Sequence, residues 1–511
     1  MTRPEPLFYE PRHTPSRREL LKGVAGFAAA LGLAGCGEAP APIASRSEDL
    51  PSELWRAGAK QLAAAIAGRQ VTSVEVVEAH LARIEAVNSS VNAIIALYAD
   101  EAREAAADAD RIVISGGPLG PLHGVPFTIK DNLDQAGKPN TNGLEENRGN
   151  IAAGDHPVVE RMRAAGGVVL GRTNLPDMGL RVHSNSEIWG RTLNPWSAAH
   201  NVGGSSGGEG AALATGMTPI GLGNDIGGSL RNPANCCAIA SLKPSLGRIP
   251  GTGGGMAGQL MSVDGPMARN VEDVRLGYEI LAGLHAGDPW TAPVPLDLPR
   301  PSVKRVALVP EPEGGDTDST VAQAVRTAGA ALERAGFEVE EVAPPRLFDV
   351  ASVWFDFLGV ELAQGMDTFR QIMGEESYRF LELIFSRWES RGLEMYIRAT
   401  TVRHELSVEW SEFFSRYPLV VGPVFTDPPF EVGYDIAGAD EAWDVLSQLR
   451  LVVAANLLGL PAAAVPVGVG GDGLPRGVQV IADRYRDDLV LDGAAEIEAE
   501  LGTFTPIDPR G

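Results

Sequence analysis

Along the chain, short apolar runs bounded by turn residues alternate with longer stretches in which apolar positions recur every three or four residues. After residue 52 two helices are predicted, and the second is well marked. Thr72 with Glu75 three positions on forms a capping-box pattern, and Val77, Leu81 and Ile84 follow on one face. From Pro121 the period changes. In PLHGVPFTIKDN, turn residues lead into the apolar run Val125 to Ile129, a strand that brings Lys130 to its carboxyl end, where an open α/β sheet presents its chemistry.

Further strands are predicted at Val168-Val169-Leu170 and around Ile220-Gly221-Leu222, on either side of a glycine-rich loop. KRVALVP, the Ala/Arg-rich stretch Thr320 to Gly336, and FEVEEV read as strand, helix, strand. Residues 346–415 have a helical period and many aromatics. The end of the chain returns to strand at Ala462 to Val469 and Gly477 to Ile481 and closes on a helix from Asp487. This alternation predicts an α/β fold: a single large α/β/α layered domain over residues 53–508, with a central mixed β-sheet flanked by helices and a mainly helical excursion at 346–415.

Composition changes this picture only at the N-terminus. The 511 residues include 44% hydrophobic types, 60 glycines and 37 prolines, as in an ordinary globular protein, with no internal repeat. The formal charge of -23 argues against a nucleic-acid partner, which needs a basic face. Ser16-Arg17-Arg18-Glu19-Leu20-Leu21-Lys22 resembles a twin-arginine export signal. The apolar stretch Gly23 to Gly35 is too short to span a bilayer, and Leu33-Ala34-Gly35-Cys36 resembles a lipobox with Cys36 as the lipidated residue. Residues 1–35 are therefore expected to be a signal peptide and residues 36–52 a Pro/Ala/Ser tether. The chain is expected to be an exported cell-envelope lipoprotein facing the periplasm, held to the membrane by its N-terminal lipid. Beyond Cys36 only the adjacent Cys236 and Cys237 occur, so no disulfide framework is expected.

The loop GGSSGGEG, residues 203–210, fits the G-x-S-x-G pattern of a nucleophile elbow around both Ser205 and Ser206. No strand precedes it, however, and the eight histidines are scattered without metal-ligand spacing. No phosphate-binding G-x-x-x-x-G-K-[ST] occurs. A second glycine-rich turn, Asp225-Ile226-Gly227-Gly228-Ser229, follows a strand and opens a helix, so that its N–H groups can converge on an anion.

From HGVPFTIKDN through LKPSLGRIP the sequence resembles the amidase signature family of serine hydrolases. Weaker similarity reaches GVQVIADRYRDDLVL, covering most of residues 53–505. The resemblance implies a Lys-Ser-Ser triad: Lys130 as base, Ser205 as a bridging serine preceded by a cis peptide, and Ser229 as nucleophile. It places an oxyanion hole at the N–H groups of Ile226, Gly227, Gly228 and Ser229. Asp225, Arg231 and Ser206 support the site, and Lys243 is structural. Asn224 stands where the family usually has Ser or Thr, Cys237 and Ser241 where it commonly has glycine, and NTNGLEEN departs from a frequent T-x-G-S segment.

The chemistry stands on its own terms. A serine hydroxyl attacks only when a base takes its proton, and lysine serves only if burial or nearby positive charge leaves it neutral. The expected activity is hydrolysis of a small-molecule carboxylic amide through an acyl-enzyme, without metal or organic cofactor; association into oligomers is left open. The alternatives are an amidotransferase A-like subunit, whose cytoplasmic partners sit poorly with an export signal, and a solute-binding lipoprotein, which has no use for a lysine and two serines on glycine-rich turns. Pocket walls are expected from Trp354, Phe355 and Phe357 and from the region Phe425 to Phe430, whose alternative role is hydrophobic core.

Overall fold

The computed structural model describes residues 50–510. The expected signal peptide, Cys36 and the tether up to Asp49 lie outside the described residues. The helix expected near Thr72 runs Ser73–Val91. Thr72 Oγ1 accepts from the Glu75 N–H at 3.1 Å while the Glu75 carboxylate accepts from the Thr72 N–H at 2.8 Å, closing the capping box. Val77, Leu81 and Ile84 are buried on its inner face.

An eleven-stranded mixed sheet organises the rest. From one edge its order is Ile94–Leu97, Val168–Thr173, Pro126–Lys130, Ile220–Asp225, Val263–Ala268 and Ala240–Lys243. It continues through Ala462–Val469, Pro475–Ile481, Leu419–Pro423, Arg305–Leu308 and Glu338–Glu341. Pro126–Lys130 lies parallel to both Val168–Thr173 and Ile220–Asp225, so all three point their carboxyl ends to one side. Lys130 and Asp225 thereby arrive at the same edge of the sheet. Helices cover both faces, and the core falls into two large clusters with the sheet between them. No helix among the described residues is long and apolar enough to cross a membrane.

Strand alternation decides which face carries chemistry. Phe127 and Ile129, with Ile220 and Leu222, belong to one apolar cluster. Thr128 and Lys130 therefore face the other way, as do Gly221 and Gly223. Those glycines let the helix Gly207–Ala214 approach closely: a Cβ on Gly221 would fall 1.8 Å from Glu209 Oε1, and one on Gly223 would fall 2.8 Å from Ser206 Oγ. The loop GGSSGGEG is thus pressed onto the sheet beside Lys130.

The helical excursion is formed by Leu347–Ile372, Glu375–Phe385 and Leu393–Phe414.

Candidate active site

Lys130 is fully buried, and its Nζ donates to Ser205 Oγ at 2.7 Å and to Asn224 Oδ1 at 2.6 Å. Asn224 is itself oriented by donating Nδ2 to Asn132 Oδ1 at 2.9 Å. Burial pulls the Lys130 ammonium down to about 7, against the opposing charges of Asp225, Asp264 and Glu209. A substantial neutral fraction at neutral pH makes this lysine usable as a base. Beneath it Glu209 accepts from the Thr128 hydroxyl and from Thr173 Oγ1 at 2.8 Å, which braces the helix against two strands. Burial pushes the Glu209 carboxyl up to about 7.

The Gly204–Ser205 peptide is cis, as the resemblance implies. Two side chains that carry no local sequence pattern, Ser184 and Asn232, hold this loop. Ser184 Oγ donates to the carbonyls of Gly203 and Ser205, each at 3.2 Å, and accepts from the Gly207 N–H at 2.9 Å. Asn232 Nδ2 reaches the Gly204 carbonyl at 3.3 Å and the Gly227 carbonyl at 3.5 Å, joining the two glycine-rich segments. Ser206, expected to support the site, is buried with an Oγ that meets no hydrogen-bond partner among the described residues. Its part is packing over Gly223.

The second turn is fixed by Asp225. Its carboxylate accepts from the Gly228 N–H at 2.7 Å and the Leu230 N–H at 3.2 Å, and pairs with Arg231 through two contacts of 3.0 Å. Burial opposes the Asp225 charge, yet Arg231 beside it holds its carboxyl well below the usual range. Of the four N–H groups expected at the oxyanion hole, that of Gly228 is committed to Asp225 in this structure. The N–H groups of Ile226, Gly227 and Ser229 meet no protein acceptor among the described residues. Trp354 Nε1 donates to the Ile226 carbonyl at 2.8 Å, and its ring lies 2.6 Å from where a Cβ on Gly227 would stand. Lys243, also buried and drawn by burial to about 7, donates to the Pro244 carbonyl at 2.9 Å and makes no bond to either serine.

Residues 75–491 match the Amidase family. The indoleacetamide hydrolase of Bradyrhizobium diazoefficiens is 41% identical over 460 residues, covering 88% of each chain. The acylamidase of Rhodococcus erythropolis is 34% identical, covering 86% of this chain and 94% of its own. Among solved structures, a 6-aminohexanoate cyclic dimer hydrolase complexed with substrate superposes with a TM-score of 0.76 at 28% identity, over 90% of this chain and 99% of its own. The chain belongs to the amidase signature family. It is an enzyme that hydrolyses amide C–N bonds, and the solute-binding alternative falls away.

In this amidase Ser229 is 8% exposed and opens onto a narrow pocket of about 70 Å³. Ile226 and Gly227 line it together with Trp354, Phe355, Phe380 and Phe385. Trp354 and Phe355 thus line the pocket as expected. Phe357 does not: it is fully buried and packs edge-on against Tyr396. Phe425 and Phe430 are likewise core residues. Phe380 and Phe385, from a neighbouring helix, take the places that sequence reasoning gave to them. Arg181 also lines the pocket, but Asp435 holds it through contacts of 2.6 and 3.0 Å and Glu376 through one of 2.8 Å. Its charge is matched within the protein. Among the described residues no cluster of His, Cys, Asp or Glu is arranged to hold a metal ion.

Proposed function

We propose that this amidase cleaves amides with an apolar, aromatic acyl half, using Ser229 as nucleophile, Ser205 as proton relay and Lys130 as base. The observation that carries the assignment is the 2.7 Å bond between Lys130 Nζ and Ser205 Oγ, made by a lysine that burial draws to about 7. Neutral Lys130 takes the Ser205 proton as Ser205 takes that of Ser229, whose Oγ bonds to the carbonyl carbon. The carbonyl oxygen becomes an oxyanion facing the N–H groups of Ile226, Gly227 and Ser229. Each such donor is worth about 3 kcal/mol in the transition state. Collapse breaks the C–N bond, the leaving nitrogen takes the proton back through Ser205, and an ester to Ser229 remains. Water, activated by the same pair, releases the acid.

The aromatic walls around Ser229 and the internally paired Arg181 favour an apolar acyl group over a carboxylate-bearing one. The name of the indoleacetamide hydrolase relative agrees with that preference. A fluorophosphonate probe should label the wild-type enzyme and fail to label Ser229→Ala. Indole-3-acetamide should be turned over and succinamic acid should not. Labelling retained in Ser229→Ala would remove the nucleophile assignment, and the reverse substrate order would remove the acyl assignment. Release of free ammonia and acid without an acceptor distinguishes hydrolysis from amidotransfer.

The order twin arginine, apolar run, Cys36 supports the further proposal that residues 1–35 export the folded enzyme and that Cys36 anchors it to the cell envelope.

A further inference from the structure

A second cavity adjoins the other end of the triad. It has a volume of about 590 Å³, and Asn224, Asn132 and Met178 are part of its wall. Asn224 bonds Lys130 directly. Gly179, next to Met178, lies against the relay, since a Cβ there would stand 3.2 Å from Ser205 Oγ. The acyl pocket opens at Ser229, whereas this chamber is walled by Asn224, which bonds Lys130, and by Met178, next to the Gly179 that packs on Ser205. Ammonia needs none of that volume.

The chamber is rich in acceptors and has no lysine or arginine in its wall. Asp264 stands opposite Asn224 in the antiparallel pairing of Ile220–Asp225 with Val263–Ala268. It is 8% exposed, and no N–H or O–H among the described residues donates to its carboxylate within hydrogen-bond reach. His156 Nε2 stands 3.6 Å from Asp264 Oδ2, beyond hydrogen-bond length. Asn140 Oδ1 is buried and accepts nothing, while its Nδ2 is tied to Asp134 Oδ1 at 2.6 Å. Asn142 Oδ1 is unmatched in the same way. Asp288, by contrast, is satisfied by the N–H groups of Trp290 and Gly251, both at 2.9 Å. The two amide oxygens are closed off from the cavity, whereas the Asp264 carboxylate lines it and is left to take its donors from what the cavity holds, water or the N–H groups of a ligand. Trp290, 67% exposed at the wall, adds an aromatic face suited to a cation.

We infer that this chamber binds the amine half of the substrate and selects amides whose amine carries a second, protonated amino group, received by Asp264. The inference rests on the amidase assignment above and names the substrate's other half. Four indol-3-ylacetyl amides test it: the primary amide, the N-propyl amide, its cationic isostere the N-(2-aminoethyl) amide, and the N-carboxymethyl amide. The wild-type enzyme should prefer aminoethyl to propyl by at least tenfold in kcat/KM and reject carboxymethyl. In Asp264→Asn that ratio should fall to near one, whatever the variant's overall rate. Independently of any variant, 1,2-diaminoethane should inhibit the wild-type enzyme competitively where propylamine does not.

Turnover of the primary amide with no aminoethyl preference and no diamine inhibition would overturn this inference and leave the proposed function standing. Failure of all four amides would overturn the proposed acyl specificity, and the inference with it.

Discussion

At the scale of single residues, the proposed mechanism depends on keeping one lysine neutral in a ring of acids. Burial lowers Lys130 to about 7, while Asp225, Asp264 and Glu209 pull the other way. Only the neutral form is a base, so kcat/KM should rise as pH increases through about 7 and then level off. Asn224 is informative because it departs from the hydroxyl residue usual at that position. Its amide oxygen holds Lys130 Nζ at 2.6 Å but carries no charge. Asn224→Asp would place a carboxylate there, favour the ammonium, and raise the lysine further. The rising limb should move to higher pH by a unit or more. Activity at pH 7 should then drop about fivefold for a one-unit shift, and recover in alkaline buffer. A pH–rate profile that keeps its original limb would show that Lys130 is not the titrating base.

At the scale of elements, the sheet places its chemistry through the two parallel strands that flank Pro126–Lys130, and a buried ion pair stitches two of their ends. Arg172 Nε donates to Asp131 Oδ1 at 2.6 Å and Arg172 Nη2 to the Leu133 carbonyl at 2.9 Å, with both side chains buried. Asp131 in turn accepts from the Thr141 hydroxyl, which holds the following loop. Arg172→Leu leaves that carboxylate without its cation and should destabilise the fold by about 3–5 kcal/mol, read as a lowered midpoint in chemical denaturation. Adding Asp131→Asn should restore part of the loss, and equal midpoints for wild type and Arg172→Leu would contradict the role.

Strands with a bounded apolar run of their own, such as Pro126–Lys130 and Ala462–Val469, were legible in the sequence. Val263–Ala268 was not, because VDGPMA carries Gly265 and Pro266 in a central strand, residues that local propensity excludes and the flanking strands impose. The same division holds in the site. Lys130, Ser205 and Ser229 lie in motifs, whereas Ser184, Asn232 and the Trp354 contact act across 19 to 128 residues of separation and leave no local trace. The commitment of the Gly228 N–H to Asp225 is equally a matter of turn geometry.

At the scale of the whole molecule, the proposed N-terminal anchor bears on an acidic enzyme. With a formal charge of -23, its surface gives anionic lipid no reason to hold it. Attachment would then fall to the N-terminus. The body also suits export in the folded state: Cys236 and Cys237 are free and fully buried, and burial pushes both thiols up, away from the reactive thiolate. No oxidising compartment is needed to complete the fold. Full-length enzyme should therefore sediment with membranes, and Cys36→Ser should appear in the soluble fraction with kcat/KM within about twofold of wild type, since the lipid plays no part in the chemistry. Replacing Arg17 and Arg18 by lysine should trap active enzyme in the cytoplasm. Membrane association that survives Cys36→Ser would shift the anchor to the body of the protein, against the charge argument.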